Sequence, residues 1–392
     1  MRTPLPIAVF VLALAILASP AAAQEEQWLQ YRTSSDPETD GISTYYRSLE
    51  TTADTPAGVL LPDSAGFDAR FARWETPMVK AGGLWISVAR SRQKGDFDML
   101  YIDSNCDGSL KDEKPLKPFS ADQYSSRFGP VKITFPGDDG PIVYHVLVEC
   151  SQYDPEHISI SLRSGCWYQG TVSVGGKNYP IVLIDYNSNG AFNDTSMDLE
   201  QMDRVGLGDG PDRKLFGLGK YISIDGKLYH PQPAPDGAFI AFAPAENVPM
   251  AAVAVSPKIT SLSLSGENGQ LDFQPSGGKV RLPAGKWIVR AWEIARNDSS
   301  GAKWLMTGNY FPKESIFDVA QGKEAVLDIG EPVTSTLNVS EDSGQYTIRE
   351  SLEGKSGENI SIERKGENAP APHVRIRNAD GSYNQSLATT YG

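Results

Sequence analysis

The chain has 392 residues and a formal net charge of −13. This acidic balance argues against nucleic-acid binding, which needs clustered lysine and arginine, and it suits a protein that binds divalent cations. The length allows two or three domains, and three cysteines are too few to define a disulfide framework.

The first 23 residues have the order of a secretory signal peptide. Arg2 gives a positive start, Ile7 to Leu17 is an uninterrupted apolar run, and three alanines ending at Ala23 precede a polar segment. We expect cleavage after Ala23 and a protein that is secreted, periplasmic or held at the cell surface. The apolar run is shorter than the roughly 20 residues that cross a bilayer, and we expect no membrane span in the mature chain.

Short alternating apolar runs make up most of the remaining chain, separated by clusters of Gly, Pro, Asn and Asp. This pattern is typical of an all-β protein. Residues 24–63 are polar and irregular, which predicts an N-terminal arm or an edge strand. Further on, two alternating runs flank a turn at 154–157 and predict a hairpin. Cys150 and Cys166 lie on its two strands, and strand register decides whether they form a disulfide, which would leave Cys106 free.

An internal repeat organises residues 64–235. Trp85 precedes Asp103 by 18 residues, and Trp167 precedes Asp185 by the same distance, so the two copies are offset by 82 residues. Each copy has a tryptophan-bearing strand, an apolar strand and a polar loop. The positions after the loops match at an offset of 88 residues, at Phe128 and Phe216. We therefore predict one tandem-repeat β domain.

The two polar loops, 103–112 and 185–194, have the spacing of calcium sites. Acids and amides at alternate positions can direct their oxygens to one centre, and calcium takes six to eight oxygen ligands. A glycine stands at the sixth position of each loop, where the chain must bend. The predicted ligands of the first loop are Asp103, Asn105, Asp107, the backbone carbonyl of Ser109, and Asp112. Those of the second loop are Asp185, Asn187, Asn189, the backbone carbonyl of Ala191, and Asp194.

Both loops resemble the calcium loop of EF-hands and dockerin modules over about ten residues each. The resemblance implies calcium as the cofactor and an acid at the twelfth position, where this chain has Lys114 and Ser196. Asp112 and Asp194 must take that role, with Glu113 assisting in the first loop. Apolar strands rather than helices lead into the loops, so we expect structural sites and no helix–loop–helix sensor.

Charge predicts unequal affinities for the two loops. The first has three aspartates with Glu113 adjacent, and the second has two aspartates. We therefore expect the second site to bind calcium more weakly and Asp103→Ala to cost more calcium-dependent stability than Asp185→Ala. Both affinities should lie near the roughly 10⁻⁴–10⁻³ M that is typical of extracellular modules.

Two further β modules are predicted after the repeat. Residues 279–290 read as a strand, a Pro-Ala-Gly turn and a second strand, and this hairpin resembles carboxypeptidase-regulatory-like, or transthyretin-like, β-sandwich modules. That resemblance implies a structural or binding module at 236–332. The Ser-, Glu- and Gly-rich remainder at 333–392 predicts a small Ig-like β module.

The tryptophans and histidines give little sign of a catalytic or binding site. Trp85 and Trp167 are interpreted as core residues, whereas the parity of Trp287 and Trp292 puts them on opposite faces of one strand, so one of them could be exposed. None of the four histidines has zinc-ligand spacing, and no nucleophile elbow, phosphate loop or dinucleotide motif is present.

Two functions fit this sequence. The combination of loops and sandwich modules resembles uncharacterised exported proteins of environmental bacteria, planctomycetes among them. It implies a calcium-stabilised structural or adhesion protein without catalytic activity, whose partner is a cell-surface or matrix polysaccharide or protein. The alternative is a secreted carbohydrate-binding protein or glycoside hydrolase that uses a groove between the repeats.

Overall fold

The computed structural model describes residues 27–34, 42, 44–62, 65–154, 157–210, 213–313 and 315–390. The predicted signal peptide lies outside these residues. The described chain is all-β, as the alternating sequence pattern predicts, and it contains no helix that is long and apolar enough to cross a membrane.

The first eighteen strands cover residues 27–244. In chain order they are β1 (Gln27–Trp28), β2 (Gln30–Thr33), β3 (Arg47–Leu49), β4 (Thr51–Thr52), β5 (Phe67–Glu75), β6 (Gly83–Arg90), β7 (Met99–Ile102), β8 (Ser120–Ala121), β9 (Ser125–Phe135), β10 (Ile142–Gln152), β11 (Ile158–Ser164), β12 (Cys166–Val174), β13 (Lys177–Ile184), β14 (Arg204–Leu207), β15 (Lys214–Gly217), β16 (Ile222–Ile224), β17 (Lys227–Pro233) and β18 (Phe239–Pro244).

These strands form four antiparallel sheets. Their orders are β4-β5-β6-β7 in sheet I, β3-β11-β10-β9-β8 in sheet II, β2-β12-β13-β14-β15 in sheet III and β1-β18-β17-β16 in sheet IV. The N-terminal segment supplies one short edge strand to each sheet, in reverse chain order. It thereby covers four edges whose backbone groups would otherwise lack partners.

One hydrophobic core joins the four sheets. It contains Trp74 from sheet I, Phe135 and Tyr144 from sheet II, Leu183 from sheet III and Ile240 from sheet IV, all fully buried. The Trp74 ring lies 6.0 Å from Phe135 and 5.8 Å from Tyr144 between centroids. A buried tryptophan removes about 150–250 Å² from water, which at about 25 cal/mol per Å² stabilises the fold by about 4–6 kcal/mol.

The remaining fourteen strands follow Pro244. In chain order they are β19 (Met250–Ala254), β20 (Ser261–Gly266), β21 (Gly269–Phe273), β22 (Lys279–Pro283), β23 (Gly285–Asn297), β24 (Lys303–Asn309), β25 (Ile316–Val319), β26 (Ala325–Val326), β27 (Thr334–Asp342), β28 (Gln345–Glu353), β29 (Asn359–Arg364), β30 (Glu367–Asn368), β31 (His373–Arg377) and β32 (Asn384–Ala388).

These strands form three further sheets. The order β22-β19-β26 makes sheet V, and β21-β20-β23-β24-β29-β28-β27 makes sheet VI, in which β25 also pairs with β23 and β30 with β29. Val253 and Leu282 of sheet V share a second core with Leu262, Trp287 and Trp292 of sheet VI. Strands β31 and β32 pair only with each other in the described chain.

The strand boundaries differ from the predicted module boundaries at two places. The boundary predicted at 235/236 falls between β17 and β18, which pair with each other and share the first core. The boundary predicted at 332/333 falls within sheet VI, because β29 pairs with β24 along six residues. Turn composition marks chain reversals, and it does not distinguish a turn inside a sheet from a linker between modules.

The predicted hairpin around Pro283-Ala284-Gly285 is wrong. Strand β22 pairs with β19 in sheet V, whereas β23 pairs with β20 in sheet VI. The Pro-Ala-Gly segment therefore carries the chain from one sheet to the other. Gly285, with φ 147°, makes this corner beside the Asn268 side chain.

The tryptophan predictions also need correction. Trp85 and Trp167 are only half-buried, whereas Trp287 and Trp292 are both 0% exposed. Strand β23 has a bulge, because Ala291 pairs with Ser263 while Val289 pairs with the next residue of β20. The extra residue between them reverses the alternation, so both tryptophans face the same core.

No disulfide joins Cys150 and Cys166, and all three cysteines are free. Strands β10 and β11 form the predicted hairpin, but Cys150 lies opposite Ile160, and Cys166 comes after Ser164, which lies opposite Val146. At about 3.3 Å per residue along a strand, the two thiols are more than about 13 Å apart. Burial raises the pKa of each of these two thiols to about 12.

The structure reproduces the repeat only in part. Strands β6 and β7 precede the first polar loop as β12 and β13 precede the second, but Ile86 pairs with Ile102 whereas the equivalent Tyr168 pairs with Leu183. Phe128 lies in sheet II, whereas β7, the strand that leads into the first loop, lies in sheet I. Phe216 lies in sheet III together with β13, the strand that leads into the second loop. The recurrent unit is thus a strand pair with its loop, and a full tandem repeat is not confirmed.

Candidate metal centre

In the first loop, the Asp103 carboxylate organises the backbone. Its side chain is 1% exposed at the end of β7. The backbone N–H of Asp107 donates to Asp103 Oδ1 at 3.0 Å, and that of Gly108 donates to Oδ2 at 2.9 Å. Gly108 has φ 84°, which a residue with a Cβ seldom adopts. Burial raises the pKa of Asp103, and the two hydrogen bonds oppose that shift.

The second loop repeats this arrangement around Asp185, at the end of β13. Asn189 N–H donates to Asp185 Oδ1 at 3.2 Å, and Gly190 N–H donates to Oδ2 at 2.7 Å. Oδ2 also accepts the Tyr144 hydroxyl at 2.8 Å. Asp185 is completely buried. Burial raises its pKa to about 7, although these hydrogen bonds lower it.

The predicted side chains at the third, fifth and tenth positions converge in both loops. In the first, Asn105 Nδ2 donates to Asp112 Oδ2 at 3.0 Å. In the second, Asn187 Nδ2 and Asn189 Nδ2 both donate to Asp194 Oδ2, at 3.1 and 2.6 Å. Oxygen-bearing groups from opposite ends of each loop therefore lie side by side.

The seventh positions close a further turn in each loop. Ser109 N–H donates to Asp107 Oδ1 at 2.8 Å, and Ala191 N–H donates to Asn189 Oδ1 at 2.8 Å. The fifth-position side chain thus holds the residue whose carbonyl is the predicted ligand. All the predicted site residues lie in these two loops, and the two loops share this hydrogen-bond pattern.

Each loop is also held by an acid beyond its tenth position. Glu113 accepts hydrogen bonds from the backbone N–H of Ser104 at 2.6 Å and from its hydroxyl at 2.9 Å. In the second loop this role falls to Asp203, whose two oxygens accept the N–H groups of Tyr186 at 3.0 Å and Asp194 at 2.8 Å. Glu113, which the sequence predicts to assist as a ligand of the first loop, therefore accepts hydrogen bonds from the Ser104 backbone and hydroxyl of that loop.

Sequence reasoning missed Asp203. Glu113 follows the start of its loop by ten residues, but Asp203 follows Asp185 by 18, because the second connection is longer. No fixed spacing marks it. With Asp203 counted as Glu113 is, the second loop has three carboxylates and the first has four, so the number of carboxylates still favours the first loop, by one.

The two loops differ most in burial. Asn187 is 4% exposed and Ser188 is fully buried, whereas Asn105 and Asp107 are exposed. The Trp74 indole N–H donates to the Ser188 carbonyl at 2.9 Å, so the second loop is bound directly to the main core. Its geometry is therefore more strongly fixed than that of the first loop.

Both loops also connect different parts of the fold through their eighth residues. Leu110 is 0% exposed, and its N–H donates to the Leu60 carbonyl of the N-terminal segment at 2.9 Å. Phe192 is 1% exposed, and its N–H donates to the Pro235 carbonyl before β18 at 2.9 Å. A change in either loop would therefore be transmitted to a second segment of chain.

The second loop concentrates carboxyl groups. Burial, followed by the charges of Asp185 and Asp194, raises the pKa of Asp203 well above its usual range. None of these three aspartates takes part in an ion pair with a described side chain. Within the described ranges, no group of three or more His, Cys, Asp and Glu side chains has the arrangement of a metal site. The candidate metal-ligand atoms of both loops are amide oxygens as well as carboxylate oxygens.

The stability of the calcium-free protein should fall as the pH rises from about 4 to about 7. The folded pKa of Asp185, about 7, exceeds the unfolded value of about 3.9, so the folded state binds more protons within this window. The stabilisation that the protonated Asp185 carboxyl contributes is complete below the unfolded pKa and is lost as the pH rises through the folded pKa. The free energy of unfolding then falls by up to about 1.4 kcal/mol per pH unit for one proton. Denaturant midpoints measured across this range with a chelator test the prediction. Asp185→Asn should flatten the slope, and a rising midpoint in the wild type would contradict it.

A groove of about 940 Å³ lies between the β9–β10 turn and the β17–β18 connection, where Pro235 accepts the Phe192 N–H of the second loop. Asp138, Asp139 and Asp236 line it together with the Phe239 ring. Trp28, which is 68% exposed, contacts Phe239 edge to face at 5.4 Å between centroids. An exposed aromatic ring next to carboxylates is a surface on which a sugar can stack and form hydrogen bonds.

Comparison with protein-family models, curated proteins and solved structures finds no match to this chain.

Proposed function

We propose that the protein is an exported, non-catalytic structural or adhesion protein stabilised by two calcium ions. The observation that carries this proposal is the shared hydrogen-bond pattern of the two loops. In both, the first-position carboxylate accepts the N–H groups of the fifth and sixth residues, and the tenth-position carboxylate meets the third-position amide. The signal-peptide pattern supports export, and the partner is a cell-surface or matrix polysaccharide or protein.

The chemistry of the donors supports calcium. Calcium takes six to eight oxygens in a flexible shell, whereas magnesium requires tighter octahedral geometry and retains water. Each loop offers carboxylate, amide and backbone oxygens. In the second loop a divalent cation would also offset the repulsion among Asp185, Asp194 and Asp203, which no described ion pair relieves.

The position of the loops supports a structural role for the ions. Each loop follows an apolar strand of the core, β7 or β13, and then bonds to a distant segment at Leu60 or Pro235. An ion in the loop would hold the strand end, the loop and that segment in one arrangement. It would stabilise the folded state by RT ln(1 + [L]/Kd) at each site.

Calorimetric titration with calcium tests the proposal. We expect two ions per chain, each with an affinity near the roughly 10⁻⁴–10⁻³ M of extracellular modules. Asp103→Asn should remove one binding event and Asp185→Asn the other. Asp139→Asn is the matched control, because this exposed aspartate lies in the β9–β10 turn outside both loops. Failure of the wild-type protein to bind calcium at millimolar concentration would overturn the proposal.

The second candidate is a carbohydrate-binding protein or glycoside hydrolase, favoured by the groove beside Trp28. A glycan array and a hydrolysis screen, each run with wild type and Trp28→Ala, distinguish the two functions. Sugar binding that depends on Trp28 and persists in chelator with the fold intact would support the groove and argue against a purely structural role.

A further inference from the structure

Strands β27 and β28 form a hairpin at the end of sheet VI. Each strand has nine residues, and they pair along their whole length through a two-residue turn at Ser343-Gly344, with φ 53° and 81°. These positive φ values are those of the turn that matches strand twist. Beyond the hairpin, β28 pairs with β29 only at Glu353 and Asn359. At about 3.3 Å per residue, the hairpin is about 30 Å long.

The large apolar side chains of the hairpin all lie on one face, where three of them are exposed and Ile348 and Leu352 are half-buried. Cross-strand pairing places Leu337, Val339, Tyr346, Ile348 and Leu352 on the same side. Leu337 is 54% exposed, Val339 62% and Tyr346 68%. An isolated two-stranded hairpin is only marginally stable in water, so a hairpin of this composition gains stability from additional strands.

The outer edge of β27 is open to strand pairing. β27 is the last strand in the order of sheet VI, and every one of its residues is exposed. Natural edge strands are commonly protected by lysine, proline or a bulge. Residues 334–340 contain neither lysine nor proline, and the register with β28 has no bulge. The only acids of the strand, Glu341 and Asp342, lie at its tip.

The sequence of β27 is self-complementary about Asn338. If two copies pair antiparallel with Asn338 opposite Asn338, residues whose numbers sum to 676 face each other. Leu337 then lies opposite Val339 of the other copy, and Ser340 lies opposite Thr336. Glu341 lies opposite Ser335 and Asp342 opposite Thr334, so no like charges meet across the junction, where they would destabilise the pair.

We propose that β27 pairs with β27 of a second copy of this chain around a two-fold axis at Asn338. The product is a four-stranded antiparallel ribbon, β28-β27-β27-β28, with the apolar faces of both hairpins on one side. A two-fold contact uses the same surface of both chains and closes on itself, and the added backbone hydrogen bonds follow the mode of strand addition. This pairing does not involve the polar loops, so calcium removal should leave it unchanged.

The contact is small, and the dimer should dissociate on dilution. A strand edge about 30 Å long and about 10 Å thick covers about 300 Å² per partner, or about 600 Å² in total, well below the roughly 1,200–2,000 Å² of stable interfaces. We expect a monomer at about 1 µM and a dimer at several hundred µM, the behaviour of a micromolar complex. Sedimentation of the purified chain across this range measures it.

Asn338→Glu separates the dimer from the stability of the hairpin. Within one chain the new carboxylate lies opposite Arg349, which favours the monomer fold. Across the two-fold axis it lies opposite its own copy, which disfavours the dimer. Thr347→Glu, with the same charge change on the inner strand β28, is the matched control. We expect Asn338→Glu to stay monomeric at every concentration and Thr347→Glu to dimerise as the wild type does. A dimer that survives Asn338→Glu would overturn the proposal.

Cysteine substitution tests the register. Directly opposite residues of an antiparallel pair have Cα atoms about 4.5–5.5 Å apart, within the range of a disulfide. Asn338→Cys should therefore form a covalent dimer under mild oxidation. Thr334→Cys alone should not, because it faces residue 342 of the other copy. Equal crosslinking of the two variants, or wild-type protein that is monomeric at all concentrations, would refute the pairing.

Discussion

Removal of calcium should lower the melting temperature of the protein by about 10–20 °C. An ion at about one hundred times its dissociation constant stabilises the folded state by about 2.7 kcal/mol, so two sites give about 5 kcal/mol. For a domain of about 150–250 residues, 1 kcal/mol corresponds to about 2–4 °C. Thermal unfolding followed by circular dichroism, with excess calcium or with a chelator, measures this difference.

Asp112→Asn is the informative variant in that experiment. Asp112 is exposed, and its carboxylate accepts a hydrogen bond from Asn105. The substitution should therefore change the melting temperature in chelator very little, while removing about half of the shift produced by calcium. Magnesium at the same ionic strength controls for general screening of charge. Identical wild-type curves with calcium and with chelator would contradict a structural role for the ions.

Asp185→Ala should destabilise the protein by about 3–5 kcal/mol even without calcium. The substitution leaves the Tyr144 hydroxyl and the N–H groups of Asn189 and Gly190 without their acceptor. Each buried group that loses its partner costs about 1–3 kcal/mol. Denaturant unfolding in chelator gives the free energy of unfolding directly. Asp185→Asn, which keeps one acceptor oxygen in the same place, should recover part of the loss.

Asp103→Ala provides the comparison. It removes the same two backbone hydrogen bonds, but Asp107 and Gly108 are exposed and can bond to water instead. We expect a loss of about 1–2 kcal/mol. Because Asp185 is more deeply enclosed, we expect Asp185→Ala to lower the free energy of unfolding of the calcium-free protein more than Asp103→Ala does. The number of carboxylates alone would predict the larger loss for Asp103→Ala. Equal losses for the two alanine variants would show that burial does not control the stability of these loops.

Several features of the fold could be predicted because they depend on residues close in sequence. Alternation predicts the β10–β11 hairpin, and positions of glycine predict bends such as Gly108 and Gly190, where φ is positive. The hydrogen bonds within each polar loop span two to seven residues, so sequence spacing already determines which groups can meet. The candidate site could be located on this basis.

Other features could not be predicted because they depend on pairing between distant strands. The bulge in β23 brings Trp287 and Trp292 to one face, and parity counted along the chain placed them on opposite faces. The separation of Cys150 from Cys166 follows from a register that no local residue determines. Three of the four edge strands given by the N-terminal segment, β1, β2 and β3, reach partners more than one hundred residues away, as in β1 with β18.

By itself, the sequence determined the all-β class and the two polar loops with their order of donor groups, because both follow from local alternation and from the short reach of a side chain. Only the tertiary structure decided that Asp203 holds the second loop, that Asp185 is buried beneath Tyr144, and that β27 is an open edge. Each of these depends on which segments enclose a residue, and burial determines how strongly a carboxylate or a strand edge depends on its partner.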